Sequence, residues 1–168
     1  AIHPIGSLKL SIFLNSYSNK IKENSICFIS QYVKDYETIK DQIKKDSQLR
    51  MKVIYKNLLN YGKLKKINVA MRQGKNDLSF KDEHDFFLNL SRSSNLIEND
   101  RDNFSSYNVA NSSSLIVSMD STLAFEMYGS GKKVLFCAKA KNKMFLNRKG
   151  VNFLLKKLPK ELVLETFD

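Results

Sequence analysis

The sequence predicts an α/β protein with a Rossmann-like parallel sheet flanked by helices. Short apolar runs recur along the chain at Ser25–Ser30 (SICFIS), Ile67–Met71 (INVAM), Leu115–Met119 (LIVSM) and Val134–Cys137 (VLFC), the pattern of buried strands. Between them lie segments whose apolar residues recur at helical spacing. Polar and glycine-containing turns bound both kinds of segment, and this alternation specifies parallel βαβ units with helices on both faces of the sheet.

In chain order, residues 1–24 open with AIHPIGSLKLSIFLNS, carry Pro4 and Gly6, show no sustained periodicity and read as a lead-in or linker to one domain over 25–168. SICFIS is the first strand. From Tyr36 to about Tyr61 the apolar residues Tyr36, Ile39, Ile43, Met51, Ile54, Leu58 and Tyr61 mark one long amphipathic helix or two, stopped by Gly62. INVAM is the next strand, and Phe80–Leu90 (FKDEHDFFLNL) the next helix, with Phe86, Phe87 and Leu90 as its core face. Asn95–Ile97 (NLI) is a short strand, and the stretch after Asn103 fits a brief helix capped by Ser105 or Ser106. Strand Leu115–Met119, helix Thr122–Tyr128 and strand Val134–Cys137 follow, with a helix over Gly150–Leu155 and a last strand over Glu161–Glu165.

The 168 residues, 42% hydrophobic, suffice for a single core. No run approaches the roughly 20 apolar residues of a membrane span, and the N-terminus lacks the order of a signal peptide, so a cytoplasmic location is expected. Cys27 and Cys137 lie inside apolar runs and are expected to be buried thiols. With 28 Lys and Arg against 17 Asp and Glu, the net charge of +11 favours an anionic partner: a nucleotide, nucleic acid or an acidic lipid surface at the inner membrane face. The cations are dispersed and not interleaved with aromatics, which disfavours nucleic acid. His3 and His84 stand far apart and no Cys or His cluster has ligand spacing, so no metal is expected. Asp82, Glu83 and Asp85 read as a surface cluster paired with nearby lysines.

Ligands of open parallel sheets bind beyond the carboxyl ends of the strands, which directs attention to the turn after Met119. Asp120, Ser121 and Thr122 stand there, at the start of a helix. Hydroxyls beside free N–H groups and the positive end of a helix dipole form an anion site. The same three residues also suit a plain helix cap. Glu126, one turn after Thr122, either reaches a ribose or base at the pocket rim or faces solvent. Gly129 and Gly131 let the chain turn back into the next strand, followed by Lys132 and Lys133. No Gly-rich P-loop or GxGxxG follows any predicted strand, which disfavours a Walker-type ATPase and a nicotinamide dehydrogenase.

The stretch SSSLIVSMDSTLAFEMYGSGKKVLFC resembles the nucleotide-binding segment in the C-terminal domain of bacterial GT-B glycosyltransferases of surface-polysaccharide synthesis. It is most similar to the surface carbohydrate biosynthesis proteins, and more distantly to capsule Kdo transferases and teichoic-acid polymerases. The shared elements are the short helix Tyr107–Ser114, the apolar strand, the Ser121–Thr122 turn, Glu126, the Gly129–Lys132 turn and the last apolar strand. Upstream, SICFISQY resembles the first strand and loop of such a domain, with Ser30 and Gln31 facing the cleft, and INVAMRQGKND the strand ending in a basic residue, here Arg72. Where many GT-B members carry His-Pro, this chain has Arg72, Gln73 and Gly74.

The resemblance implies one GT-B half, holding the phosphates of a nucleotide-sugar donor at Ser121 and Thr122, with charge added by Arg72 or Lys132 and with no metal or other cofactor. It also implies that the catalytic residues and acceptor site belong to a missing N-terminal domain, that the chain is a fragment or half of an assembly, and that it is inactive alone. A nucleotide-sugar epimerase half is the competing enzyme reading, although no acid–base pair of carboxylates is identifiable. A non-catalytic basic module binding nucleic acid or anionic membrane is the reading from another class; steep salt dependence would mark it.

Overall fold

The computed structural model of the protein describes residues 7–16, 22–35, 40, 42–61, 66–137 and 160–162. Its elements are α1 (Leu8–Ser16), β1 (Lys22–Ile29), α2 (Gln42–Tyr61), β2 (Lys66–Ala70), α3 (Phe80–Leu90), β3 (Asn95–Ile97), α4 (Ser105–Ser112), β4 (Ser113–Ser118), α5 (Thr122–Gly129) and β5 (Val134–Phe136). A short 3-10 turn spans Lys160–Leu162, so Glu161 and Leu162 are not in the strand expected there. The helix expected over Gly150–Leu155 lies outside the described residues.

The five strands form one all-parallel sheet in the order β3-β2-β1-β4-β5, flanked by helices on both faces, the Rossmann-like arrangement the sequence predicts. Successive side chains of a strand point to opposite faces, so apolar runs without polar alternation bury both sides. Along β1, Ile26 and Phe28 enter the core under α2 and α3, while Cys27 and Ile29 enter the core under α1, α4 and α5. In β4, Val117 goes to the first core and Ile116 to the second. Both cysteines are free and buried, as expected.

Helix α2 buries Met51, Ile54 and Tyr55, with Leu58 partly buried, whereas Tyr61, expected on this face, stands 73% exposed at the helix end. Phe87 of α3 is fully buried; Phe86 and Leu90 pack partly buried beside it. Phe87 meets Tyr55 edge-on at 5.0 Å and Tyr55 lies 5.3 Å from Phe28, so one aromatic group ties both helices to the central strand. The expected lead-in contains α1, which is packed as part of the domain: Phe13 is fully buried, with its ring 5.4 Å from Tyr107.

Two local signals read differently in three dimensions. Neither serine caps α4, which starts after Phe104 in the left-handed conformation (φ 51°). Ser105 lies inside the first turn, where its hydroxyl donates to the Glu98 carbonyl at 2.6 Å and accepts from the Asp100 N–H at 2.8 Å, pinning the β3–α4 loop. Of the two glycines after the Glu126 turn, only Gly131 has positive φ (85°). There the Lys132 N–H donates to the Met127 carbonyl at 3.0 Å and the Gly131 N–H to the Tyr128 carbonyl at 2.9 Å, a Schellman end to α5. Among the described residues no helix is long and apolar enough to cross a membrane.

Candidate functional site

After β1 the chain builds β2 and β3 on one side, then crosses to place β4 on the other. The loops leaving β1 and β4 therefore diverge, opening a crevice at the carboxyl edge of the sheet. Ser30 and Gln31 leave β1 on one side of this crevice, and Asp120, Ser121 and Thr122 leave β4 on the other. Arg72, just past β2, lies next to Ser30. Six of the sequence-predicted residues thus come together through sheet order alone.

Two clefts meet at this point and share Ser30, Arg72, Ser121 and Thr122. The larger, about 690 Å³, lies on the α2 side and adds Lys34, Lys44 and Gln73. Among the described residues its lining holds three cations, Lys34, Lys44 and Arg72, and one carboxylate, Asp120, while Lys34 also pairs with Asp82 at 3.2 Å. The smaller, about 370 Å³, lies on the α4 side and adds Lys9, Asn99, Tyr107 and Glu126.

Ser121 occupies the N-cap position of α5 with extended backbone, yet its side chain makes no capping bond. The Ala124 N–H is held at 3.0 Å by the Ser121 carbonyl instead. The Ser121 hydroxyl and the first-turn dipole are thereby left to the cleft, which Thr122 also lines. A plain cap would have turned the hydroxyl onto the helix's own N–H groups.

Asp120 accepts a hydrogen bond from Gln31 Nε2, which ties the loops after β1 and β4 across the crevice. Gln31 Oε1 is buried with no partner among the described residues. Ser30 lines both clefts, but its hydroxyl donates inward to Glu83 and accepts the Tyr32 N–H at 3.2 Å. Arg72 Nη1 donates to the Tyr32 carbonyl at 3.1 Å, so the guanidinium is braced across the end of β1. Glu126 lines the smaller cleft and not the larger, and there its carboxylate accepts a hydrogen bond from the Tyr107 hydroxyl. Burial, then this carboxylate, push the Tyr107 phenol well above its ordinary range. Lys9 Nζ sits 5.4 Å above the Tyr107 ring, which brings α1 into the same wall.

Lys132 is not brought to this site. It precedes β5 at the amino edge of the sheet, where its ammonium donates to the Asn111 carbonyl at 2.9 Å. A lysine that follows a Schellman turn belongs to the helix end opposite the one that binds anions, so proximity in sequence to the Ser121 turn does not become proximity in space.

Sequence reasoning missed Lys34, Lys44, Lys9, Tyr107 and Glu83. Only Glu83 left a clear signal: it lies four residues before Phe87 and seven before Leu90, on the core face of α3. Its neighbours follow the surface reading, with Lys34 3.2 Å from Asp82 and Lys81 2.6 Å from Asp85. Among the described residues no group of His, Cys, Asp and Glu is placed to hold a metal.

A family model described as "putative O-antigen biosynthesis protein" matches residues 1–153. The chain belongs to this O-antigen biosynthesis family. The match spans α1 with its Lys9 and the residues that line both clefts. O-antigen biosynthesis agrees with the surface-carbohydrate resemblance drawn from the Ser121 segment, and it names no reaction. No curated protein and no solved structure matches the chain.

Proposed function

We propose that the crevice between β1 and β4 holds a nucleotide-activated sugar, and that the chain is the donor-binding half of a GT-B-type glycosyltransferase of O-antigen synthesis. The observation that carries this reading is Ser121, an N-cap residue whose hydroxyl is not used for capping, at the topological switch point of a parallel sheet. The phosphates sit against Ser121, Thr122 and the first turn of α5, with Arg72, Lys34 and Lys44 supplying positive charge from the facing wall. Hydroxyl groups of the ribose or sugar reach the smaller cleft, where Glu126 is the acceptor, held in place by Tyr107.

Sugar transfer breaks the bond between the anomeric carbon and the phosphate oxygen, and negative charge grows on the departing phosphate. Donors already fixed toward that charge lower the barrier because they need no reorganisation. The α5 dipole, Ser121, Thr122 and Arg72 fill that role. The base that activates the acceptor comes from outside this domain, supplied by an N-terminal partner domain.

Thermal-shift titration with CMP, UDP, GDP and their sugar conjugates tests the reading. One nucleotide is expected to stabilise the protein by about 2.7 kcal/mol at a hundredfold excess over its Kd. The Ser121→Ala, Thr122→Ala double variant should fold and lose this gain. Absence of stabilisation by every nucleotide, with the fold intact, sinks the donor reading.

A further inference from the structure

Glu83 is fully buried, yet it lies in a helix whose other acidic residues, Asp82 and Asp85, pair with lysines at the surface. Its carboxylate receives three donors from the two strand ends that build the crevice. The Ser30 hydroxyl and the Arg72 N–H (2.9 Å) reach Oε1, and the Gln73 N–H (2.8 Å) reaches Oε2. A buried carboxylate without partners would be strongly unfavourable, and these three donors are what makes it tolerable there.

The arrangement is directed at the crevice. Parallel strands β1 and β2 pair up to Ile29 and Ala70, and the Ser30 N–H still bonds the Ala70 carbonyl at 3.0 Å. Beyond that point the two chains separate, and the Glu83 carboxylate bridges them. The same residues carry the cleft wall: Ser30 and Arg72 line both clefts, and Gln73 lines the larger. Asn99 holds the turn from the far side, its amide donating to the Arg72 carbonyl at 2.9 Å, while Gly74 lies so close to Asn99 that a Cβ would come within 2.8 Å of the Asn99 carbonyl oxygen. The turn 72–74 is therefore clamped between α3 and the β3–α4 loop.

We propose that Glu83 is the positioning residue of the crevice: it fixes the Arg72–Gln73 turn and the Ser30 hydroxyl, and through them aims the Arg72 guanidinium along the wall that faces Ser121. The part of this inference that concerns ligand affinity rests on the donor reading above, and the part that concerns the turn stands without it.

The test compares wild type with Glu83→Gln and, as a control on the same helix, Asp85→Asn. A glutamine keeps one acceptor for the Arg72 N–H but presents an N–H₂ group to the Gln73 N–H, so one bond is lost with little change of volume. Amide hydrogen exchange is read residue by residue. In Glu83→Gln, exchange at Gln73 is expected to quicken at least tenfold and at Arg72 by a smaller factor, with the β4 amides unchanged, and the Kd of the stabilising nucleotide to rise about tenfold; Asp85→Asn should match wild type in both. Uniformly faster exchange across the sheet, or wild-type exchange at Arg72 and Gln73, overturns the proposal, as does unchanged affinity in a protein whose wild type binds. If wild type binds no nucleotide the donor reading fails, and exchange alone decides the role of Glu83. Should Glu83→Gln not fold, Ser30→Ala removes a single donor and is expected to quicken exchange at Arg72 alone, by a smaller factor; no change there counts against the clamp.

Discussion

At Glu83, burial raises the carboxyl pKa more than its hydrogen bonds lower it. The folded protein consequently holds a proton that the unfolded chain has already released, over a window that opens near the ordinary glutamate value of about 4.3 and extends upward. Stability from this group is full below that window and declines as pH rises through it, the reverse of a salt-bridged surface carboxylate such as Asp85, whose pKa is lowered by Lys81. The difference in Tm between wild type and Glu83→Gln should therefore shift against wild type as pH rises above about 4.3. A constant difference across the range would contradict this. Burial acts on the cysteines too, pushing the Cys27 and Cys137 thiols up to about 12. Neither should react with iodoacetamide at pH 8 until the protein unfolds, and peptide mass spectrometry of native and denatured samples checks it. The buried thiols were legible from their apolar neighbours. Glu83 was legible only through its spacing to Phe87, which competes with the strong prior that a run of acids on a helix is solvated.

Helix ends and short helices carry the next level of the design. Gly131 adopts a conformation that side chains with a Cβ resist, and nothing else lies within 4 Å of the position. Gly131→Ala should destabilise by about 1 kcal/mol, a purely conformational cost, whereas Gly129→Ala, in helical backbone with open space around it, should not destabilise. Chemical denaturation of both variants separates the two. Helix α1 makes a second case. Its apolar residues Leu8, Ile12 and Leu14 are exposed and Phe13 alone is deeply buried, so no helical stripe announced it in the sequence. Phe13→Ala is expected to cost about 3–5 kcal/mol if the cavity stays open, and to loosen Tyr107 and hence Glu126 in the smaller cleft. Unchanged stability would mean that α1 is dispensable to the fold.

For the molecule as a whole, a net charge of +11 draws anions of every kind, and screening tells them apart. A nucleotide held by Ser121, the α5 dipole and a braced Arg72 should weaken only several-fold between 50 and 200 mM salt, measured by calorimetry, whereas a backbone-reading module loses roughly 10³–10⁵ over that range. A steep loss would favour the basic-module reading. Sequence by itself determined the five strands of the sheet, though it also expected a strand where Glu161 and Leu162 lie in a 3-10 turn, together with the class of fold, the buried thiols and the Ser121 turn, because each follows from local side-chain periodicity or from residue types at a strand-to-helix junction. Strand order was decided only in the tertiary structure, since parallel pairing joins segments that local patterns do not connect. Gln31 and Asp120 meet across 89 positions of chain, and Ser30 and Glu83 across 53. That order brought Arg72 to the crevice and kept Lys132 at the opposite edge: a helix between two strands carries the chain from one end of the sheet to the other, however few residues separate its ends.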